Sequence, residues 1–243
     1  MKGNKMKEIL HKNESRGLAD HGWLLSRHTF SFADYHNPER MNFGLLRVVN
    51  DDIVKPSMGF GTHPHENMEI VSIPLAGSLR HQDSMGNKHV IKAGEVQIMS
   101  AGSGLTHSEY NNSDVDDVNF LQIWVFPKER DIEPRYGQLF FDRNDRQNRF
   151  QVLVSPEASE EEIWINQDAW FSMADLEADK ELTYQKHHIN SGVYFFVIEG
   201  SLEIDGNAIN RRDGLGLVQG ENFSISAESG AQLLVIEMPM TGK

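Results

Sequence analysis

The stretch from Met68 to Met99, MEIVSIPLAGSLRHQDSMGNKHVIKAGEVQIM, decides the fold. Short apolar runs at Met68 to Leu75, His89 to Ile91 and Glu95 to Met99 are cut by Gly77, by Ser84-Met85-Gly86-Asn87 and by Gly94. Gly and Asn supply the positive φ that tight hairpins need, and turn signals every 8–12 residues mark an all-β sandwich or barrel. A diverged copy follows downstream. Gly77-Ser78-Leu79 matches Gly200-Ser201-Leu202, Gly86-Asn87 matches Gly206-Asn207, and Gly94 matches Gly214, in the same order. Self-similarity of this kind predicts two copies of one β-unit.

Further strands are predicted at Phe43 to Val49, Asn119 to Phe126, Gln151 to Val154, Val193 to Ile198, Leu215 to Val218, Phe223 to Ala227 and Leu233 to Met238. No long segment carries a helical period. From Pro127 to Arg149 the sequence turns polar, with Pro134, Gly137 and a cluster of Asp, Asn and Arg, which predicts a junction. The expected division is a first unit over 1–130, a linker over 131–149 and a second unit over 150–243.

With 243 residues, 39% hydrophobic and 24% charged, the chain has the composition of a folded globular protein. Cysteine is absent, so disulfides, thiolate metal sites and a cysteine nucleophile are excluded. The net charge of −13 disfavours direct nucleic-acid binding. The longest apolar run, Val193 to Ile198, is far short of the roughly 20 residues of a membrane span. No apolar segment of a secretory signal follows the first basic residues. A cytoplasmic protein with no membrane or nucleic-acid partner is therefore expected.

Chemistry concentrates in two clusters, Gly61-Thr62-His63-Pro64-His65 and Gly104-Leu105-Thr106-His107-Ser108-Glu109. Residues at i and i+2 of a strand share a face, so His63 with His65, and His107 with Glu109, each present two ligands to one side. Three imidazoles and a carboxylate suit one divalent transition metal, with Fe(II), Mn, Co, Ni, Cu and Zn all compatible. Glu69 competes with Glu109 as the fourth ligand. On a straight strand, four residues from His65 span roughly 13 Å, so Glu69 reaches the metal only if the chain bends near Glu66-Asn67. Glu109 needs no bend and is preferred. His28 lies in a Phe-rich stretch and either lines the site or packs, and His11, His21, His36, His81 and His89 are assigned to surface or packing. Counting from the matched glycines sets Lys186, His188, Gly192, Ala227 and Ser229 against His63, His65, Glu69, His107 and Glu109. The second unit is expected to have lost its site, with His187 and His188 structural or on the surface. His65-Glu66 lacks the later histidine of a zinc-protease helix, and no G-x-S-x-G elbow occurs.

The ordered motifs His28-Thr29-Phe30-Ser31-Phe32-Ala33-Asp34-Tyr35, Leu46-Arg47-Val48-Val49-Asn50-Asp51-Asp52, Gly61-Thr62-His63-Pro64-His65, Gln82-Asp83-Ser84-Met85-Gly86-Asn87 and His107-Ser108-Glu109-Tyr110-Asn111 resemble the pirin family, and among pirins the bacterial proteins described as quercetin 2,3-dioxygenases. The resemblance is dense from about Gly17 to Pro127. It implies two jelly-roll cupin barrels in tandem, with one metal, iron by expectation, on His63, His65, His107 and Glu109 of the first barrel and a degenerate second site. It further implies a dioxygenase that cleaves a flavonol such as quercetin with O2 and releases CO, with Glu109 as the base. A second role carried by the same family is that of a metal- or redox-sensing partner protein without enzymatic activity.

Overall fold

In a computed structural model that describes residues 8–157 and 159–241, the chain folds into two β-barrels, each made of one seven-stranded and one four-stranded sheet. Among the described residues the only helical elements are single 3-10 turns at Asn13–Ser15 and Arg143–Arg146. The first barrel's large sheet runs Arg135–Phe140, Glu95–Ser100, Glu69–Ala76, Val118–Val125, Leu46–Val54, Leu24–His28, Gly17–Asp20 in spatial order. Its small sheet runs Gly59–His65, Leu105–Asn111, Ser78–Asp83, Lys88–Lys92. The second barrel repeats the plan. Glu8–His11, Gly214–Leu217, Ser191–Glu199, Ala231–Pro239, Trp170–Leu176, Gln151–Ser155 and Ile163–Trp164 form its large sheet, and Lys180–Gln185, Asn222–Ala227, Ser201–Ile204 and Asn207–Asn210 its small one.

The expected boundaries differ from this architecture at two points. Glu8–His11 pairs with Gly214–Leu217 and so belongs to the second barrel, although it lies at the start of the chain. Arg135–Phe140, within the expected linker, pairs along its whole length with Glu95–Ser100 and extends the first barrel's large sheet. Its polar residues misled the reading because an edge strand has one side in water and tolerates charge.

The two large sheets pack face to face. Val49, Val71, Ile73, Leu121 and Ile123 of the first meet Leu153, Phe171, Tyr194, Phe196, Leu234 and Ile236 of the second in one continuous core. Strand alternation explains the unbroken apolar run at Val193 to Ile198. Tyr194, Phe196 and Ile198 face the shared core, while Val193, Phe195 and Val197 face the interior of the second barrel. That interior is filled by Leu202, Ile204, Phe223, Ile225, Leu233 and Val235. In the first barrel the apolar clusters are smaller, one on Leu24, Val54, Leu79, Ile91, Val118 and Phe120 and another on Ile70, Met99, Ala101 and Leu105. The space between them is a cavity of about 620 Å³.

Candidate metal centre

Gly59–His65 and Leu105–Asn111 are neighbours in the small sheet of the first barrel, with His63 directly opposite His107. The turn that delivers the second of these strands requires glycine at position 102. Gly102 has a φ of +47°, and a Cβ there would lie 2.1 Å from the Ile132 carbonyl oxygen. The result is a triangle of imidazoles. Ring centroids of His63, His65 and His107 are separated by 4.9, 4.5 and 4.9 Å, and one ring nitrogen from each lies within 4.8 Å of the others.

Hydrogen bonding sets the tautomer. His63 Nδ1 donates to the Gly61 carbonyl oxygen at 2.8 Å, which leaves the lone pair on Nε2. That nitrogen faces His107 Nε2 at 3.0 Å. Two nitrogens about 2.1 Å from one ion and at right angles about it would stand roughly 3.0 Å apart, so the spacing fits adjacent ligands of a single cation. Burial, and then the neighbouring imidazoles, push His65 down to about 4 and His107 down to about 3, which keeps both neutral. Three converging imidazoles, His63 and His65 half-buried and His107 buried, suit a divalent metal.

Glu109 sits beside this triangle. It is buried, and forms a second potential ligand group with His81 and His107 within 4.8 Å. Ser72 Oγ donates to Glu109 Oε1 at 3.1 Å, and Gln122 Nε2 donates to Oε2 at 2.8 Å. Ser72 and Gln122 were not singled out in the sequence, though a polar residue between apolar neighbours in a buried strand is the signal that could have found them. His81, assigned to surface or packing, is fully buried and lies against His107 with centroids 5.3 Å apart, its Nε2 3.2 Å from Asp83 Oδ2.

Glu69 is placed elsewhere. The chain does bend where the alternative required it, with Asn67 at a φ of +48°, but the bend carries the strand into the large sheet. There Ile70 points into the barrel and Ser72 reaches Glu109, so Glu69, Val71 and Ile73 face the second barrel. Glu69 Oε2 accepts from Ser100 Oγ at 2.7 Å and from the Asn166 backbone N–H at 3.2 Å, while Oε1 has no partner among the described residues. Burial pushes this carboxyl up to about 7.

Of the remaining histidines, His28 lines the cavity, and His11 is buried against Tyr194, its Nδ1 2.9 Å from the Tyr194 hydroxyl. His21, His36 and His89 are exposed. His187 and His188 are exposed on the second barrel, His187 stacked on Trp170 at 4.7 Å.

Among the described residues the second barrel holds no such cluster, but the counted equivalences need correction. With Leu79 and Leu202 matched, the ladders place Phe223 and Ile225 at the positions of His107 and Glu109, and Tyr184 and Lys186 at those of His63 and His65. The connections between matched strands differ in length, so counting from glycines drifted. Phe223 and Ile225 fill the space with apolar atoms, and Tyr184 donates to buried Glu237 at 2.9 Å. Lys186 Nζ donates to the Ser191 and Val218 carbonyls at 2.6 and 2.9 Å.

The cavity of the first barrel opens between the Gly59–His65 edge and the Gly17–Asp20 edge, and is lined at its sides by Trp23, Phe32, Tyr35, Phe60 and Trp124. Among the described residues no helix is long and apolar enough to cross a membrane.

Comparison with known proteins agrees with this architecture. The family model described as Pirin matches residues 10–125, and that of the quercetinase C-terminal cupin domain matches residues 152–238. The chain is 41% identical over 234 residues to a quercetin 2,3-dioxygenase of Escherichia coli strain K12, covering 95% of this chain and 98% of that protein. It is 40% identical over 222 residues to a pirin-like protein of Caulobacter vibrioides, covering 91% of this chain and 95% of that protein. A crystal structure of the bacterial pirin YhhW from Escherichia coli in complex with nickel(II) superposes with a TM-score of 0.90 at 41% identity, covering 96% of this chain and 99% of that one. With both barrels matched by family models and relatives of this identity spanning nearly its whole length, the chain belongs to the pirin family of tandem cupin proteins.

Proposed function

We propose that the protein is a dioxygenase that opens a flavonol or a similar aromatic enol with O2, using one divalent metal, iron(II) by preference, held by His63, His65, His107 and Glu109. The observation that carries this reading is the triangle of three converging imidazoles on the wall of an aromatic-lined cavity. The name borne by relatives of 41% identity agrees with it. A metal bound there would supply a Lewis-acidic position where an enol oxygen and O2 meet.

The chain's own residues account for the rest. Trp23, Phe32, Tyr35, Phe60 and Trp124 offer flat apolar faces that sandwich a fused ring system and exclude water from the reacting face. Glu109, whose donors among the described residues are Ser72 and Gln122, accepts the proton of the 3-hydroxyl and so holds the substrate as its enolate. Gln122 and Ser72 fix the carboxylate's rotamer and keep it aimed at the imidazoles. In the overall reaction both oxygen atoms of O2 enter the product, the two ring bonds to carbon 3 break, and that carbon leaves with its oxygen as CO.

The test is turnover of quercetin by the iron(II) protein with CO detected in the headspace, alongside metal content. His63→Ala and His107→Ala should each lose most of the metal and the turnover, because loss of one ligand weakens affinity beyond the 10–100-fold typical of an outer contact. If free iron(II) at equal concentration matches the wild type, or if His63→Ala turns over quercetin at the wild-type rate, the reading fails.

A further inference from the structure

Opposite the imidazoles, two adjacent strands of the large sheet turn a row of polar side chains into the same cavity. Alternation along Leu24–His28 and Leu46–Val54 points Ser26, His28, Asn50 and Asp52 inward, and the pairing sets His28 beside Asn50 and Ser26 beside Asp52. Asp51, between them, faces the other way and pairs with Arg212 at 3.4 Å. His28, Asn50 and Asp52 are 3%, 2% and 4% exposed. Buried polar groups are almost always hydrogen-bonded, yet each of these keeps a side-chain atom without a partner among the described residues. Asn50 Oδ1 and His28 Nδ1 have no partner among the described residues. Ser26 Oγ donates to Asp52 Oδ1, while Oδ2 has no donor among the described residues.

Unpartnered donors and acceptors of this kind, on a wall that shares its cavity with the metal-site residues, call for a ligand with hydrogen-bonding groups at two ends and a flat apolar middle. We infer that His28, Asn50 and Asp52 form a second recognition site that binds the hydroxyl groups of the ring remote from the metal, so that the cavity selects polyhydroxylated two-ring substrates over those with a bare distal ring. The inference rests on the flavonol reading and adds where the far ring is held. Burial, with the Asp51 and Glu109 carboxylates nearby, pushes Asp52 up to about 7, so near neutrality it can either donate to or accept from a phenol. His28 is held neutral by burial, at about 4, and T-stacks on Phe32 with centroids 5.1 Å apart, which fixes its ring. A site built to hydrogen-bond a hydroxyl penalises the analogue that lacks it, since its own buried groups stay unpaired.

The test is anaerobic binding, read by tryptophan fluorescence, of quercetin, which carries two hydroxyls on its pendant ring, and galangin, which carries none. Metal-loaded wild type, Asn50→Ala and Asp52→Ala are compared, with metal content and near-ultraviolet circular dichroism reporting the fold. In the wild type, quercetin should bind on the order of 10–100-fold more tightly than galangin. In each folded variant that ratio should fall to about one, through weaker quercetin binding at unchanged galangin affinity. Equal affinities in the wild type overturn the inference without any variant. So does a preference that survives in either variant with metal and fold intact. If galangin is bound and cleaved as well as quercetin, the recognition site is lost while the dioxygenase reading stands. If neither flavonol binds or is cleaved, both fall.

Discussion

Replacing Glu69 with glutamine removes a titrating group from the seam between the barrels. Its folded-state value of about 7 lies above the 4.5 of an exposed glutamate, so the native protein retains a proton that the unfolded chain releases. The contribution is therefore whole below about pH 4.5 and declines as the pH rises, levelling off above about 7. Between pH 5 and pH 8 the wild type should lose about 2.5 kcal/mol of unfolding free energy through this residue alone. Glu69→Gln keeps an oxygen for Ser100 and Asn166 but places an amide NH2 where Oε1 has no partner, at a cost of about 1–3 kcal/mol that does not depend on pH. Comparing the two proteins at both pH values cancels that cost, along with every other titrating group they share. Urea unfolding should show the variant weaker at pH 5, and equal or stronger at pH 8. The difference in ΔΔG between the two conditions should be about 2.5 kcal/mol, with metal content unchanged. A ΔΔG that is the same at both pH values refutes the placement of Glu69 in a dry seam. Loss of metal refutes its exclusion from the site.

Other outcomes follow from the same geometry. Because burial holds His65 and His107 far below the usual 6.5, the imidazole NMR resonances of both rings in the metal-free protein should still be those of the neutral form at pH 5.5. The metal-free protein should for the same reason lose stability as the pH falls from about 6.5 toward 4, where the unfolded chain takes up protons that the native one refuses. Gly214→Ala would set a Cβ 2.0 Å from the Tyr194 hydroxyl oxygen, and should cost about 1–3 kcal/mol in urea unfolding with no change in metal content. Tyr184→Phe removes one of the donors to buried Glu237 and should destabilise by about 1–3 kcal/mol, again without touching the metal. Replacing His187 and His188 together with Ala should leave metal content and turnover at wild-type levels, since both are exposed on the second barrel.

The β-architecture was legible because glycine turns and apolar runs repeat at strand spacing. The runs at Met68 to Leu75, Glu95 to Met99 and Val193 to Ile198 became Glu69–Ala76, Glu95–Ser100 and Ser191–Glu199. The strands that were missed are mostly edges or half-wet, such as Gly17–Asp20 and Arg135–Phe140, where one face in water dilutes the apolar signal. Trp170–Leu176 escaped for the opposite reason, for burial on both faces leaves a strand no alternation to read. At the site, i and i+2 spacing was enough to group His63 with His65 and His107 with Glu109. It could not reveal Ser72, Gln122, Asp52 or His81, which reach the same interior from other strands, because cross-strand register is absent from a single sequence. Glu69 shows the limit most clearly. The bend it needed exists, and the face on which it emerged depended on which sheet the bend entered.

The crossing of Glu8–His11 into the second barrel sets a timetable for biosynthesis. This strand emerges from the ribosome roughly 200 residues before its partner Gly214–Leu217. At about 5–20 residues per second, the intervening chain takes on the order of 10–40 s to appear, and through that interval the first strand has no place to pair. Seating it afterwards closes a loop of roughly 200 residues, an entropic cost that grows only logarithmically with length but must be met before any ladder bond forms. The first barrel can thus assemble during translation, while the second is completed only when Glu8–His11 pairs with Gly214–Leu217. That pairing anchors Asn13, whose N–H donates to Asp213 at 2.7 Å, and Lys12, which pairs with the same carboxylate at 2.9 Å. Both contacts lie on the segment leading directly to Gly17–Asp20, the strand at the mouth of the cavity. The entrance to the site is therefore tied to contacts that can form only after Asp213 and Gly214–Leu217 have been made.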